Sequence, residues 1–251
     1  MKLSRTSINR KGGFTLIELM VVIAILAALA GASYGPIMDR MNDGDRQVAT
    51  SNLKQVHTML QQFQQDRGSF PCDATAETLQ EDNPDINFGE LTGDNANAYY
   101  RQLLLVEKTP SEKNFFAKIN CAGKTMAKEG DNKVANGRAL ERGENAMAYV
   151  MRKGQDDAGK LSVNKTTAPL AICGVYPSRT PYSGDAVEYD NNSFRGHAFV
   201  LFCDGSVKDQ KDNMEENEMD DEKATLKGDI FPETKRGRAT AGDYMVLSPE
   251  L

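Results

Sequence analysis

One short region constrains this chain more than any other: an apolar run, Leu19 to Ala30, entered through a single acid and a basic N-terminus. Extended from Phe14 to Tyr34, the segment reaches about 20 residues, enough to cross a bilayer as a helix. The leader carries Lys2, Arg5, Arg10 and Lys11 and no acid, a pattern that stays on the cytoplasmic side. Glu18 is the anomaly. A carboxylate in a membrane helix costs roughly 2.5–3.5 kcal/mol on insertion scales and is usually kept for function. It lies one helical turn after Phe14, within reach of an amine there.

The order Lys11-Gly12-Gly13-Phe14-Thr15-Leu16-Ile17-Glu18-Leu19 resembles the processing site of type IV prepilins and of the pseudopilins of type II secretion. The resemblance implies that a prepilin peptidase cuts after Gly13 and methylates Phe14. It implies that Glu18 pairs with the charged N-terminus of a neighbouring subunit during assembly. The apolar helix would serve first as a single-pass anchor in the bacterial inner membrane, with the head outside the cytoplasm. It would later form the core of a periplasmic or cell-surface filament. The implied partners are the peptidase, other pilins or pseudopilins, an inner-membrane platform protein and an assembly ATPase.

An ordinary secretory signal competes with this reading, because Ala28-Leu29-Ala30 before Gly31 fits an A-x-A cleavage site. It would yield a soluble secreted protein. It would also place an acid at the start of the h-region and leave the helical pattern beyond the membrane segment without purpose. A lipoprotein is excluded, since no cysteine lies nearby.

Gly35-Pro36 predicts a break in the helix, because proline lacks a donor and clashes with the preceding turn; Gly44 weakens it again. Ala49, Leu53, Val56, Leu60 and Phe63 then follow a 4-3-4-3 spacing, an apolar stripe that should pack on a head domain. His57 falls off that stripe and reads as a solvated residue. Asp66-Arg67-Gly68-Ser69-Phe70-Pro71 ends the helix, with Gly68 as C-terminal cap; the run resembles the Asp-x-Gly-x-Tyr-Pro turn of many pseudopilins. The expected organisation is a leader over 1–13, a long helix over 14–68 with halves 14–35 and 36–68, and a head over 69–251. The expected fold is α+β, the type IV pilin-like lollipop: a long helix packed on an antiparallel sheet with loop insertions.

Within the head, Thr75 to Asp94 reads as irregular and acidic, and about Asn95 to Val106 as a second helix. Lys118 to Arg142 reads as a loop. Strands are expected at Ala146–Met151, near Leu170 and near Phe199. Asp204-Gly205 predicts a two-residue type I′ hairpin turn. His197 through Asp204-Gly205 is similar to the H-x9-DG segment of many prepilin-like proteins, although six residues separate the histidine from the Asp here. Asp209 to Lys223 reads as a solvated acidic loop, with calcium as the competing reading; it lacks the Asp-x-Asp-x-Asp-Gly ligand pattern. Tyr244 to Leu247 reads as an edge strand or a docked tail.

Cys72, Cys121, Cys173 and Cys203 are disulfide candidates in an exported domain, with three possible pairings. Cys173 and Cys203 each close an apolar run, which favours Cys173–Cys203 and leaves Cys72–Cys121. No C-x-x-C and only His57 and His197 argue against a metal site. The net charge of −6 becomes −10 without the four leader cations, so nucleic acid is not an expected partner. No nucleophile elbow, phosphate loop or metal-binding histidine pair is present. The function expected is a structural subunit, pilin or pseudopilin, and not an enzyme. The alternative is an adhesive or ligand-binding module borrowing the pilin anchor.

Overall fold

The computed structural model describes residues 14–107, 111–121, 124–126, 134, 138–154, 159–163, 167–217, 220–226, 230–231 and 241–250. Helix α1 (Leu16–Arg67) is the first described element. Residues 1–42 and 43–251 form two compact units.

The expected break at Gly35-Pro36 is absent: α1 runs through both residues and through Gly44. Proline at position 36 removes one donor, to the Ala32 carbonyl, while the ladder on either side remains. The helix ends where Gly68 takes a left-handed φ of 82° and donates its N–H to the Gln64 carbonyl at 2.8 Å.

The stripe expected to dock does so. Ala49, Leu53, Val56, Leu60 and Phe63 are buried, joined by Met59. Each large apolar side chain buried this way contributes about 1.5–3 kcal/mol. Their partners include Tyr99, Tyr100 and Leu103 of α4 (Ala96–Val106) and Met147, Tyr149 and Met151 of strand β3 (Met147–Lys153). Asn95 caps α4, accepting from the Ala98 N–H.

Thr75 to Asp94 is not irregular. It holds α2 (Asp73–Asp82) and α3 (Phe88–Leu91). Thr75, Ala76 and Leu79 are buried in α2, a narrow 1-3 spacing hidden among acids that face water. Two short strands, β1 (Ile119–Cys121) and β2 (Lys124–Met126), pair within the expected loop after Lys118.

The main sheet is antiparallel. It contains β3 (Met147–Lys153), β4 (Lys160–Leu161), β5 (Pro169–Cys173), β6 (Tyr182–Ser183), β8 (Phe199–Phe202), β9 (Val207–Asp209) and β12 (Tyr244–Leu247). The order is β6-β12-β3-β5-β8-β9, with β4 on β3. The C-terminal run is therefore not an edge strand: β12 lies between β6 and β3. Successive residues of β3 face opposite layers. Met147, Tyr149 and Met151 meet the helices, while Ala148 and Val150 join Ile172, Val200, Tyr189 and Ala224 on the other face. Burial on both faces explains why these strands read as continuous apolar runs.

The second layer is a three-stranded sheet, β10-β11-β7, built from β7 (Tyr189–Asp190), β10 (Met214–Asn217) and β11 (Asp220–Leu226). The acidic segment expected as a loop is thus mostly a hairpin. Its ladder with Tyr189 and Asp190 and the burial of Ala224 hold strands that their charges alone would disfavour.

The β8–β9 connection also departs from expectation. Only Gly205 has positive φ, 83°, and its N–H bonds the Phe202 carbonyl at 2.9 Å. Cys203 and Asp204 are the central turn residues, and Gly205 is the left-handed bulge residue that follows. The Ser206 hydroxyl, then its N–H, hold the Asp204 carboxyl below its ordinary range.

The strands carrying Cys173 and Cys203 are neighbours, but antiparallel pairing sets the two thiols apart. Cys173 aligns with Phe199, while the Cys203 N–H bonds the Ala168 carbonyl at the far end. Four residues of strand separate those ends by roughly 13 Å, beyond disulfide reach. Cys72, Cys173 and Cys203 are free thiols, so neither favoured pairing is formed. The Cys121 side chain lies outside the described residues.

Candidate assembly segment and its helix cap

The first described residues explain the lone acid at local level. Thr15 precedes α1 and Glu18 stands in its first turn. Glu18 Oε2 accepts from the Thr15 N–H at 2.7 Å and from the Thr15 hydroxyl at 2.8 Å. The Glu18 N–H in turn donates to Thr15 Oγ1 at 3.3 Å. This reciprocal arrangement is a capping box, which satisfies N–H groups that a helix start leaves orphaned. A carboxylate is also favoured at the positive end of the helix dipole. The signal was legible as Thr-x-x-Glu before an apolar run, although sequence reasoning passed over Thr15. Gly13 lies outside the described residues.

Beyond the cap, α1 presents apolar side chains that nothing in the structure covers. Phe14 is 87% exposed and Leu16 82%, and Ile17, Leu19, Met20, Ile23, Leu26 and Leu29 are each more than half exposed. Exposed surface of this size marks a membrane or protein contact. This is the one helix among the described residues long and apolar enough to cross a membrane by length and composition.

Among the described residues no cluster of three His, Cys, Asp or Glu is placed to hold a metal. His197 is buried, and its Nδ1 bonds Asp209 Oδ2 at 2.7 Å; it straps β8 to β9. His57 is not a solvated bystander: Nε2 donates to the Cys203 carbonyl at 3.2 Å. Burial pushes the Cys173 thiol up to about 12. Burial, then the neighbouring Asp204 charge, do the same for Cys203, so neither is an activated nucleophile.

Comparison with known proteins agrees with this placement. The family model described as the prokaryotic N-terminal methylation motif matches residues 8–34. The type II secretion system core protein G of Pectobacterium carotovorum subsp. carotovorum is 37% identical over 62 residues, 25% of this chain and 40% of that protein. Those of Dickeya chrysanthemi and Klebsiella pneumoniae are each 36% identical over 63 residues. This chain thus spans about 40% of the length of the curated relatives it matches. No solved structure matches it. In its methylation motif the chain is similar to prepilins and pseudopilins, and its long N-terminal helix with an antiparallel-sheet head has the α+β architecture of the type IV pilin-like fold.

Proposed function

We propose that the chain is a structural filament subunit, a pseudopilin in preference to a pilus subunit, processed between Gly13 and Phe14 and assembled through α1. The observation that carries this is the exposed apolar segment of α1 opening on the Thr15–Glu18 cap, within the matched methylation motif. Cleavage after Gly13 would create a charged amine at Phe14, one residue before the cap. Glu18 then has two candidate partners: its own cap donors and the N-terminus of an adjoining subunit. Pairing with the latter offsets the cost of a carboxylate among apolar helices and fixes axial register.

The preference for a pseudopilin rests on the relatives, each named a type II secretion core protein. On this reading the segment over 14–35 sits in the inner membrane before assembly, with the head outside the cytoplasm. Its partners are prepilin peptidase, fellow pseudopilins, the platform protein and the assembly ATPase. The role is structural, without a catalytic residue.

Mass spectrometry of the mature N-terminus, taken from native membranes, tests the proposal. A chain starting at N-methylated Phe14 is the expected result. A chain starting at Gly31 would overturn it.

A further inference from the structure

Two adjacent residues of α1, Asp45 and Arg46, directly follow Gly44 and reach separate parts of the head. Asp45 Oδ2 pairs with Lys118 Nζ at 3.4 Å. Arg46 donates from Nε at 3.2 Å and Nη2 at 3.0 Å to one acceptor, the Phe194 carbonyl. That carbonyl belongs to a strained turn. Phe194, Arg195 and Gly196 all have positive φ, 50°, 61° and 74°, and the first two are residues that rarely adopt it. Buried Asp190 holds the turn from below, accepting from the Asn192 N–H and the Ser193 hydroxyl. The Phe194 ring packs edge-on against Phe199 of β8, and β1, next to Lys118, packs against the same turn. Ala49, one turn further along α1, is the first fully buried residue of the helix.

Strain of this kind persists only where surrounding contacts over-determine it. We infer that the 190–197 turn is a latch that grips α1 at Arg46 and sets the point where local unfolding of the helix stops. Toward the N-terminus, Gly44 and Pro36 weaken the ladder and the large apolar side chains are exposed. From Ala49 onward, burial holds it. Arg46 stands at the boundary, so opening the latch moves that boundary into the head-packed stripe. Its use in a filament, limiting how far tension on the helix propagates, rests on the function proposed above; the latch itself does not.

Amide hydrogen exchange on the full chain in detergent micelles, read by mass spectrometry, tests it. Two variants open the latch from opposite sides. Arg46→Ala removes the grip on the helix. Gly196→Ala attacks the turn, where a Cβ would lie 3.1 Å from Asn191 Oδ1 and touch nothing of α1. Loss of charge-assisted bonds corresponds to exchange about tenfold faster. Each variant should show that increase both at 43–50 and at 190–197, with β3 and β5 unchanged. Acceleration confined to the mutated segment, or spread evenly over the head, overturns the latch. N-terminal processing is read separately, so failure here leaves the filament reading standing, and the reverse.

Discussion

His57 of α1 occupies the space that a side chain at Gly205 would need: a Cβ built there falls 2.8 Å from His57 Cε1. The imidazole also bonds the Cys203 carbonyl two residues earlier. One helical side chain therefore shapes the β8–β9 turn and requires glycine in it. Gly205→Ala combines this collision with a left-handed φ of 83° and should cost about 1–3 kcal/mol. Denaturant unfolding of Gly205→Ala with and without His57→Ala checks the pair. The collision part should be recovered in the double variant and the backbone part retained.

The face of α1 that meets the head is tested by contrast. Leu60 is fully buried and Val48 is 45% exposed. Leu60→Ala should destabilise the chain by about 2–5 kcal/mol. Val48→Ala should stay within about 0.5 kcal/mol. Equal effects in thermal unfolding would mean the docked face is misassigned.

Alkaline pH should unfold the head. Burial raises Tyr99, Tyr100, Tyr149, Tyr182 and Tyr189 above their ordinary value of 10. It raises Cys173 and Cys203 from 9 to about 12. A group whose folded pKa is raised holds on to its proton longer in the folded state. Its stabilisation is complete below the unfolded value and is lost as pH climbs toward the folded one. Stability should hold up to about pH 9, then fall steeply. The tyrosinate absorbance of these five rings should appear together with loss of structure; ionisation of all eight tyrosines in a still-folded chain would contradict the buried assignments.

Thiol labelling addresses the cysteines. Cys173 is wholly buried and free, so it should resist alkylation in the native protein and react once denatured. A Cys173–Cys203 crosslinked peptide from the native chain would contradict the strand register.

At the helix start, Glu18→Ala removes both cap bonds from Thr15, a local loss at an exposed helix end that leaves the head folded. The variant should insert in the membrane and fail to enter filaments. Crosslinking of assembled subunits reads the outcome, and wild-type incorporation would remove Glu18 from the assembly mechanism.

What could be read from the sequence followed the range of the forces involved. The Gly13-Phe14-Glu18 pattern, the stripe from Ala49 to Phe63 and the Gly68 stop each depend on residues within one or two turns, so they are visible locally. The helix α2 was missed because its acids mask a short buried face at Thr75, Ala76 and Leu79. The β10–β11 hairpin was missed because its stability comes from Tyr189 and Asp190, distant along the chain. The cysteine pairing failed on direction: two apolar runs ending in cysteine do become neighbours, but antiparallel order puts their ends apart. Arg46 and Phe194 carried no signal, since their contact spans 148 positions.

The central place of β12 has an outcome in time. Its partner β3 lies about a hundred residues earlier, and loop closure over such a span is slow. The sheet has a gap between β6 and β3 until residue 247 arrives. A chain emerging N-terminus first therefore offers its apolar helix at once and its finished sheet late. During that interval the tyrosine-lined interior is open, and the pairing of β12 with β3 is what closes it.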